Sequence, residues 1–175
     1  MSREPDSVEI NFVDGHADVW RLFDDPERLR EIAEALVQPF RGEATKVAGI
    51  ESRGFIVGTA AALALGVGFV PIRKPDGSFP GPKATAEAHQ DYRGNAHTLR
   101  MQRAALINDD RVLLVDDWIE TGSQARAAKQ LVESCGARLI GVATIVSEVT
   151  DTLSELGRVH ALVTAEQLSG WTPSD

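Results

Sequence analysis

Two adjacent carboxylates, Asp116 and Asp117, follow four consecutive apolar residues and stand just before Thr121-Gly122-Ser123 at the head of a helix-forming segment. The apolar run 112–115 reads as a strand buried on both faces, as in the middle of a parallel sheet. Ligands of such sheets bind beyond the carboxyl ends of the strands, and this is where the two aspartates fall. The turn behind them can offer free N–H groups and the positive end of a helix dipole to an anion. Carboxylates that accept from sugar hydroxyls then stand beside a phosphate cradle, a pairing that suits a phosphorylated sugar. An Asp pair after a strand also serves about as often as a turn or a helix cap. The Thr-Gly-Ser turn and the helix after it favour a site.

The flanking segments supply elements to hold such a site. Ile10, Phe12 and Val13 could form a short strand, with Trp20, Leu22 and Phe23 packing nearby. A helix is expected from Asp25 as N-cap, with Pro26 in its first turn and an apolar stripe at Leu29, Ile32, Ala33, Leu36 and Phe40. Residues 46–50 read as a strand, followed by the polar turn Glu51-Ser52-Arg53-Gly54. An Ala-rich helix over 55–65 stops at Gly66, and 67–72 form a second strand. Residues 73–95 show no regular period and are expected to be a long loop, of the kind that closes over ligands. A strand over 97–101 and the strand over 111–116 come next. The following helix buries Ala125, Ala128, Leu131, Val132 and Cys135. Strands over 139–146 and 158–163, with a short helix near 151–156 between them, complete the pattern. Strand–helix alternation of this kind predicts an α/β sheet with right-handed crossovers.

The 175 residues fit one domain with a substantial core. With 18 basic and 26 acidic residues the net charge is −8, which argues against nucleic acid as a partner. The single cysteine, Cys135, rules out an intramolecular disulfide and a cysteine-rich metal site. No apolar stretch approaches the roughly 20 residues that span a membrane. The polar start lacks the pattern of a signal peptide, so a cytoplasmic location is expected. There is no Gly-x-x-x-x-Gly-Lys-Ser/Thr loop, no full dinucleotide fingerprint and no Gly-x-Ser-x-Gly elbow.

Three stretches, in order, resemble the motifs of type I phosphoribosyltransferases, most of all the adenine-specific members. They are Gly49-Ile50-Glu51-Ser52-Arg53-Gly54-Phe55, then Gly66-Val67-Gly68-Phe69-Val70-Pro71-Ile72-Arg73-Lys74-Pro75, then Val115-Asp116-Asp117 through Thr121-Gly122. The resemblance implies a mostly parallel central sheet flanked by helices. It implies a single domain over 1–175, with 1–23 as a small hood and 73–95 as a flexible catalytic loop. The implied reaction moves ribose 5-phosphate from phosphoribosyl pyrophosphate to a nitrogenous base, a purine such as adenine, and releases pyrophosphate. Mg2+ assists, and a homodimer is implied.

Residue by residue, the resemblance gives Asp116 and Asp117 the ribose hydroxyls, directly or through the metal shell. Glu120, Thr121, Gly122, Ser123 and Gln124 hold the 5-phosphate, with the Glu120 charge turned away. Ser52, Arg53 and Gly54 correspond to the pyrophosphate loop, where the family often has a non-proline cis peptide. Arg53 grips the leaving group, Arg73 and Lys74 contact pyrophosphate, commonly across a dimer interface, and Lys83 reaches the leaving group. Asp91 and Tyr92 stand where adenine-specific members carry Glu-Tyr, and Asp91 assists proton transfer.

The chain also departs from the pattern. Gln124 replaces a Ser or Thr of the phosphate loop, Trp118 is bulky where aliphatic residues are usual, and the Phe-Arg-Asp stretch of adenine-specific members has no clear match. Gln124 and Asp91 keep open an alternative, a non-catalytic regulatory protein that binds phosphoribosyl pyrophosphate.

Overall fold

The computed structural model describes residues 8–75, 79–88, 97–149 and 153–172. Its centre is a five-stranded, wholly parallel sheet. In chain order the strands are β3 (Lys46–Ile50), β4 (Gly68–Ile72), β7 (Arg111–Ile119), β8 (Arg138–Ser147) and β9 (Arg158–Thr164). Their spatial order is β4-β3-β7-β8-β9. Two small antiparallel hairpins flank it: β1 (Phe12–Val13) with β2 (His16–Ala17), and β5 (Lys83–Ala88) with β6 (His97–Gln102).

Alternation along the strands sorts the core into two layers. Val47, Leu113, Val115, Ala143 and Ile145 face helices α1 (Pro26–Val37) and α2 (Arg53–Leu65). Ala48, Ile50, Ile72, Val112, Leu114 and Val142 face helix α3 (Ser123–Ser134) and the β5–β6 hairpin. Both faces are covered, which is why these strands are apolar at nearly every position.

Local chemistry fixes the helix ends. The Asp25 side chain accepts from Arg28 N–H at 2.8 Å, and Pro26 opens α1. Pro39 has no N–H to continue the ladder, so the expected helix to Phe40 becomes a 3₁₀ turn over Gln38–Phe40. Gly66 ends α2 in the left-handed region at φ 71°.

Other expectations are corrected. Arg53 and Gly54 belong to the first turn of α2, not to a loop before it. The segment 73–95 is not a continuous loop, since Lys83–Ala88 is a strand. Its alternation is real, with Ala84, Ala86 and Ala88 buried and Lys83, Thr85 and Glu87 exposed. Alanine is too weakly apolar for that period to stand out. The helix expected over 151–156 is, in its described part, a 3₁₀ turn at Ser154–Leu156. Cys135 is half-buried at the end of α3, packed against the core. Among the described residues, no helix is long and apolar enough to cross a membrane.

The topology defines one special position. From β3 the chain crosses by α2 to β4 on one side, and from β7 it crosses by α3 to β8 on the other. The winding direction therefore reverses between β3 and β7. In open parallel sheets the crevice at such a reversal is where ligands bind.

Candidate active site

β3 pairs with β7 only as far as Gly49 and Val115. Beyond that point β3 turns away through residues 51 and 52, and the Glu51–Ser52 peptide is cis. β7 continues, because β8 still pairs with it at Asp116–Thr144, Trp118–Val146 and Ile119–Ser147. The two aspartates thus lie within the strand and not past its end, on an edge that β3 has vacated. This corrects the sequence reading. The missing cue was long-range pairing with β8, which no local pattern reveals.

A cleft of about 640 Å3 opens over this edge. Of the residues expected at the site, Ser52, Arg53, Lys74, Asp116, Asp117, Glu120, Thr121, Gly122, Ser123 and Gln124 line it together. Gly54, Arg73 and Lys83 do not. Gly54 lies underneath, where an added Cβ would come within 2.9 Å of Asp116 Oδ1, so it provides clearance for that carboxylate. Arg73 stands behind the lining residue Glu51: its Nε–H donates to Glu51 Oε2 at 3.1 Å, and its guanidinium lies 6.0 Å from the Phe79 ring. Lys83 is exposed on β5. Asp91 and Tyr92 lie outside the described residues.

The carboxylates occupy different environments. Asp117 is 4% exposed, and Arg53 Nε lies 2.8 Å from its Oδ2. The pair is ionic by distance, but the N–H does not point along it, and among the described residues Oδ2 receives no hydrogen bond. A buried acceptor of this kind at the wall of a cleft is completed by a ligand hydroxyl or a hydrated cation. Asp116 accepts the Asp117 N–H at 3.0 Å. Burial, reinforced by the Asp117 charge beside it, holds its carboxyl well above the ordinary value of 3.8.

A carboxyl raised in the folded state binds its proton more tightly there than in the unfolded chain. Its stabilising contribution is full below the ordinary carboxylate value and is lost as pH rises through the raised one. Replacing Asp116 by Asn removes this penalty. The variant is expected to melt higher than the parent at pH 8, with the difference shrinking toward pH 4. Melting curves across that range check it.

The bend after β7 is built from backbone. Gly122 takes φ +75° and caps α3 without a side-chain hydrogen bond, and residues 120–125 of this bend line the cleft. Ser123 N–H reaches Thr121 Oγ1 at 3.3 Å. A Cβ on Gly122 would meet Leu153 Cδ2 at 2.5 Å. Gly122→Ala adds left-handed strain of about 1–2 kcal/mol to that clash. It is expected to lower the melting temperature by several degrees and, by tilting the amides, to raise the KM for a phosphorylated ligand about tenfold. Thermal melts and ligand titration check this.

Several lining residues escaped the sequence reading. Glu51 organises the basic segment, accepting from Arg73 and from the Lys74 N–H. Phe12, His16, Trp20 and Trp171 line the cleft from the N- and C-terminal segments. The Arg53 guanidinium lies 5.8 Å from the Trp20 ring. Glu148, directly after β8, accepts from Trp118 Nε1–H at 2.7 Å.

A family model described as the phosphoribosyl transferase domain matches residues 19–171. The chain belongs to the phosphoribosyltransferase family. It is 47% identical over 130 residues to the adenine phosphoribosyltransferase of Methylococcus capsulatus, covering 74% of each chain. The crystal structure of adenine phosphoribosyltransferase from Rhodothermus marinus superimposes with a TM-score of 0.73 at 36% identity, covering 85% of this chain and 86% of that one. The Trypanosoma brucei enzyme, solved with AMP, pyrophosphate and ribose-5-phosphate, gives 0.75 at 28% identity, covering 88% and 71%. The parallel sheet flanked by helices is the type I fold of these phosphoribosyltransferases.

Proposed function

We propose that this phosphoribosyltransferase moves ribose 5-phosphate from phosphoribosyl pyrophosphate to a purine base, adenine being the base in its relatives' names, and releases pyrophosphate. One observation carries the reading: a buried carboxylate paired with an arginine, a second carboxylate and the 120–124 bend line one cleft at the sheet's switch point.

The order of groups along the sheet edge fits the donor end to end. The first turn of α3 and residues 120–124 take the 5-phosphate. Asp116 and Asp117 accept the ribose hydroxyls. Arg53 and Lys74 face the pyrophosphate. As the bond from the anomeric carbon to the leaving oxygen breaks, its electron pair departs with pyrophosphate. Positive charge grows on the ribose beside the aspartates, and negative charge grows beside Arg53. A ring nitrogen of the base forms the new bond to the anomeric carbon, and its proton passes to the departing pyrophosphate or to solvent.

Among the described residues, no three His, Cys, Asp or Glu side chains cluster as a metal cage. Two carboxylates alone fit Mg2+ held mainly by donor oxygens and water. Bound so, the ion would neutralise charge on the donor. We also propose that the protein is a cytoplasmic homodimer. Ile56 and Leu63, one helical face of α2, are 37% and 78% exposed and offer an apolar strip for a second copy.

A pyrophosphate-release assay with phosphoribosyl pyrophosphate, Mg2+ and a panel of bases tests the reaction. Release that depends on a purine is expected; none with any base contradicts it.

A further inference from the structure

Glu148 lines the cleft but takes no part in the steps above. Its position is firm. Its N–H donates to Ile119 O at 2.8 Å, which ties the residue after β8 to the end of β7. Its Oε1 accepts from Trp118 Nε1–H at 2.7 Å, and among the described residues Oε2 has no hydrogen-bond partner.

The sheet edge shows which part of the substrates this carboxylate meets. Arg53 and Lys74 come from the β3–β4 side, and the aspartates come from β7. Trp118 is two residues beyond Asp116, about 6.6 Å further along β7, and packs half-buried against the α1–α2 layer. Glu148 follows β8, on the side of the aspartates away from the pyrophosphate groups. A base joined to the anomeric carbon opposite the leaving pyrophosphate would lie on this side of the aspartates, which it shares with the 120–124 phosphate bend. The aromatic groups of Phe12, Trp20 and Trp171 border the same cleft and suit a flat ring.

An ionised carboxylate only accepts hydrogen bonds. We propose that Glu148, positioned by Trp118, reads an N–H edge of the incoming base, preferably an exocyclic amino group, and so selects which base is accepted. This rests on the transferase reading above. Trp118 makes the role testable, because its indole N–H can only donate. In Glu148→Gln the amide must turn its oxygen to Trp118 and its NH2 to the base. The acceptor that faced the base becomes a donor.

The experiment compares adenine, the same purine ring without its amino group, and a 6-oxopurine in the parent, Glu148→Gln and Trp118→Phe. The parent is expected to favour adenine over the unsubstituted ring. Glu148→Gln is expected to lose about 10-fold to 100-fold in kcat/KM for adenine, mostly through KM. It should keep its rate with the unsubstituted ring and gain relative rate with the 6-oxopurine. The KM for phosphoribosyl pyrophosphate should not move. Trp118→Phe frees the carboxylate and should lose part of the same selectivity. A uniform loss across the three bases, or a selectivity ratio unchanged by Glu148→Gln, overturns the inference while leaving the transferase reading intact. A parent with no turnover of any base overturns both.

Discussion

Replacing Asp116 and Asp117 together by Asn is expected to lower kcat/KM with phosphoribosyl pyrophosphate by about 1,000-fold. Hydrogen bonds from hydroxyls to a charged acceptor contribute roughly 1.5–3 kcal/mol each, and two of them amount to two to four orders of magnitude in rate. The amides keep the shape of the carboxylates but remove both charges. They cannot balance positive charge on the ribose, and one face of each amide offers a donor where an acceptor is needed. Stability should move the other way. Asp116 is held above the ordinary carboxylate range by burial and by Asp117, so the doubly neutral protein avoids that repulsion. A melt at pH 8 that rises or holds while turnover collapses would separate lost chemistry from lost fold.

Arg53→Ala is expected to damage both stability and turnover, by distinguishable routes. Asp117 has only 6% of its side chain exposed, with Arg53 Nε at 2.8 Å. Removing one partner of a fully buried pair costs about 3–5 kcal/mol. Here the arginine side chain is 34% exposed, so about 2 kcal/mol is expected, a fall of about 4–8 °C in melting temperature. Turnover should fall about 100-fold or more as the guanidinium facing the leaving group is lost. Adding Asp117→Asn removes the stranded charge and should restore most of the melting temperature. It should restore none of the activity. Recovery of both would make Arg53 a structural residue alone.

The chemistry-bearing turns were legible because their spacing is local. The Asp pair, the Thr-Gly-Ser bend and the Ser-Arg turn each lie within a few residues, and the cleft gathers their side chains. Strands and helices with strong apolar periods were legible as well. The weak points were long-range. β7 runs past Asp117 because β8 pairs with it there. Lys83–Ala88 is a strand whose buried face is only alanine. Arg73 fits a pyrophosphate motif by sequence, but its Nε–H donates to Glu51, and it is Glu51 and not Arg73 that lines the cleft. Glu148 and the aromatic residues of the two ends had no local signal, since each reaches the cleft only through the tertiary fold.

The most direct measurement is calorimetric titration of phosphoribosyl pyrophosphate, with Mg2+, into the parent and the Asp116→Asn, Asp117→Asn protein. One saturable site in the parent, and affinity weakened at least about 100-fold in the variant, is the expected result. Equal affinity in the two proteins would show that the donor does not sit on this sheet edge.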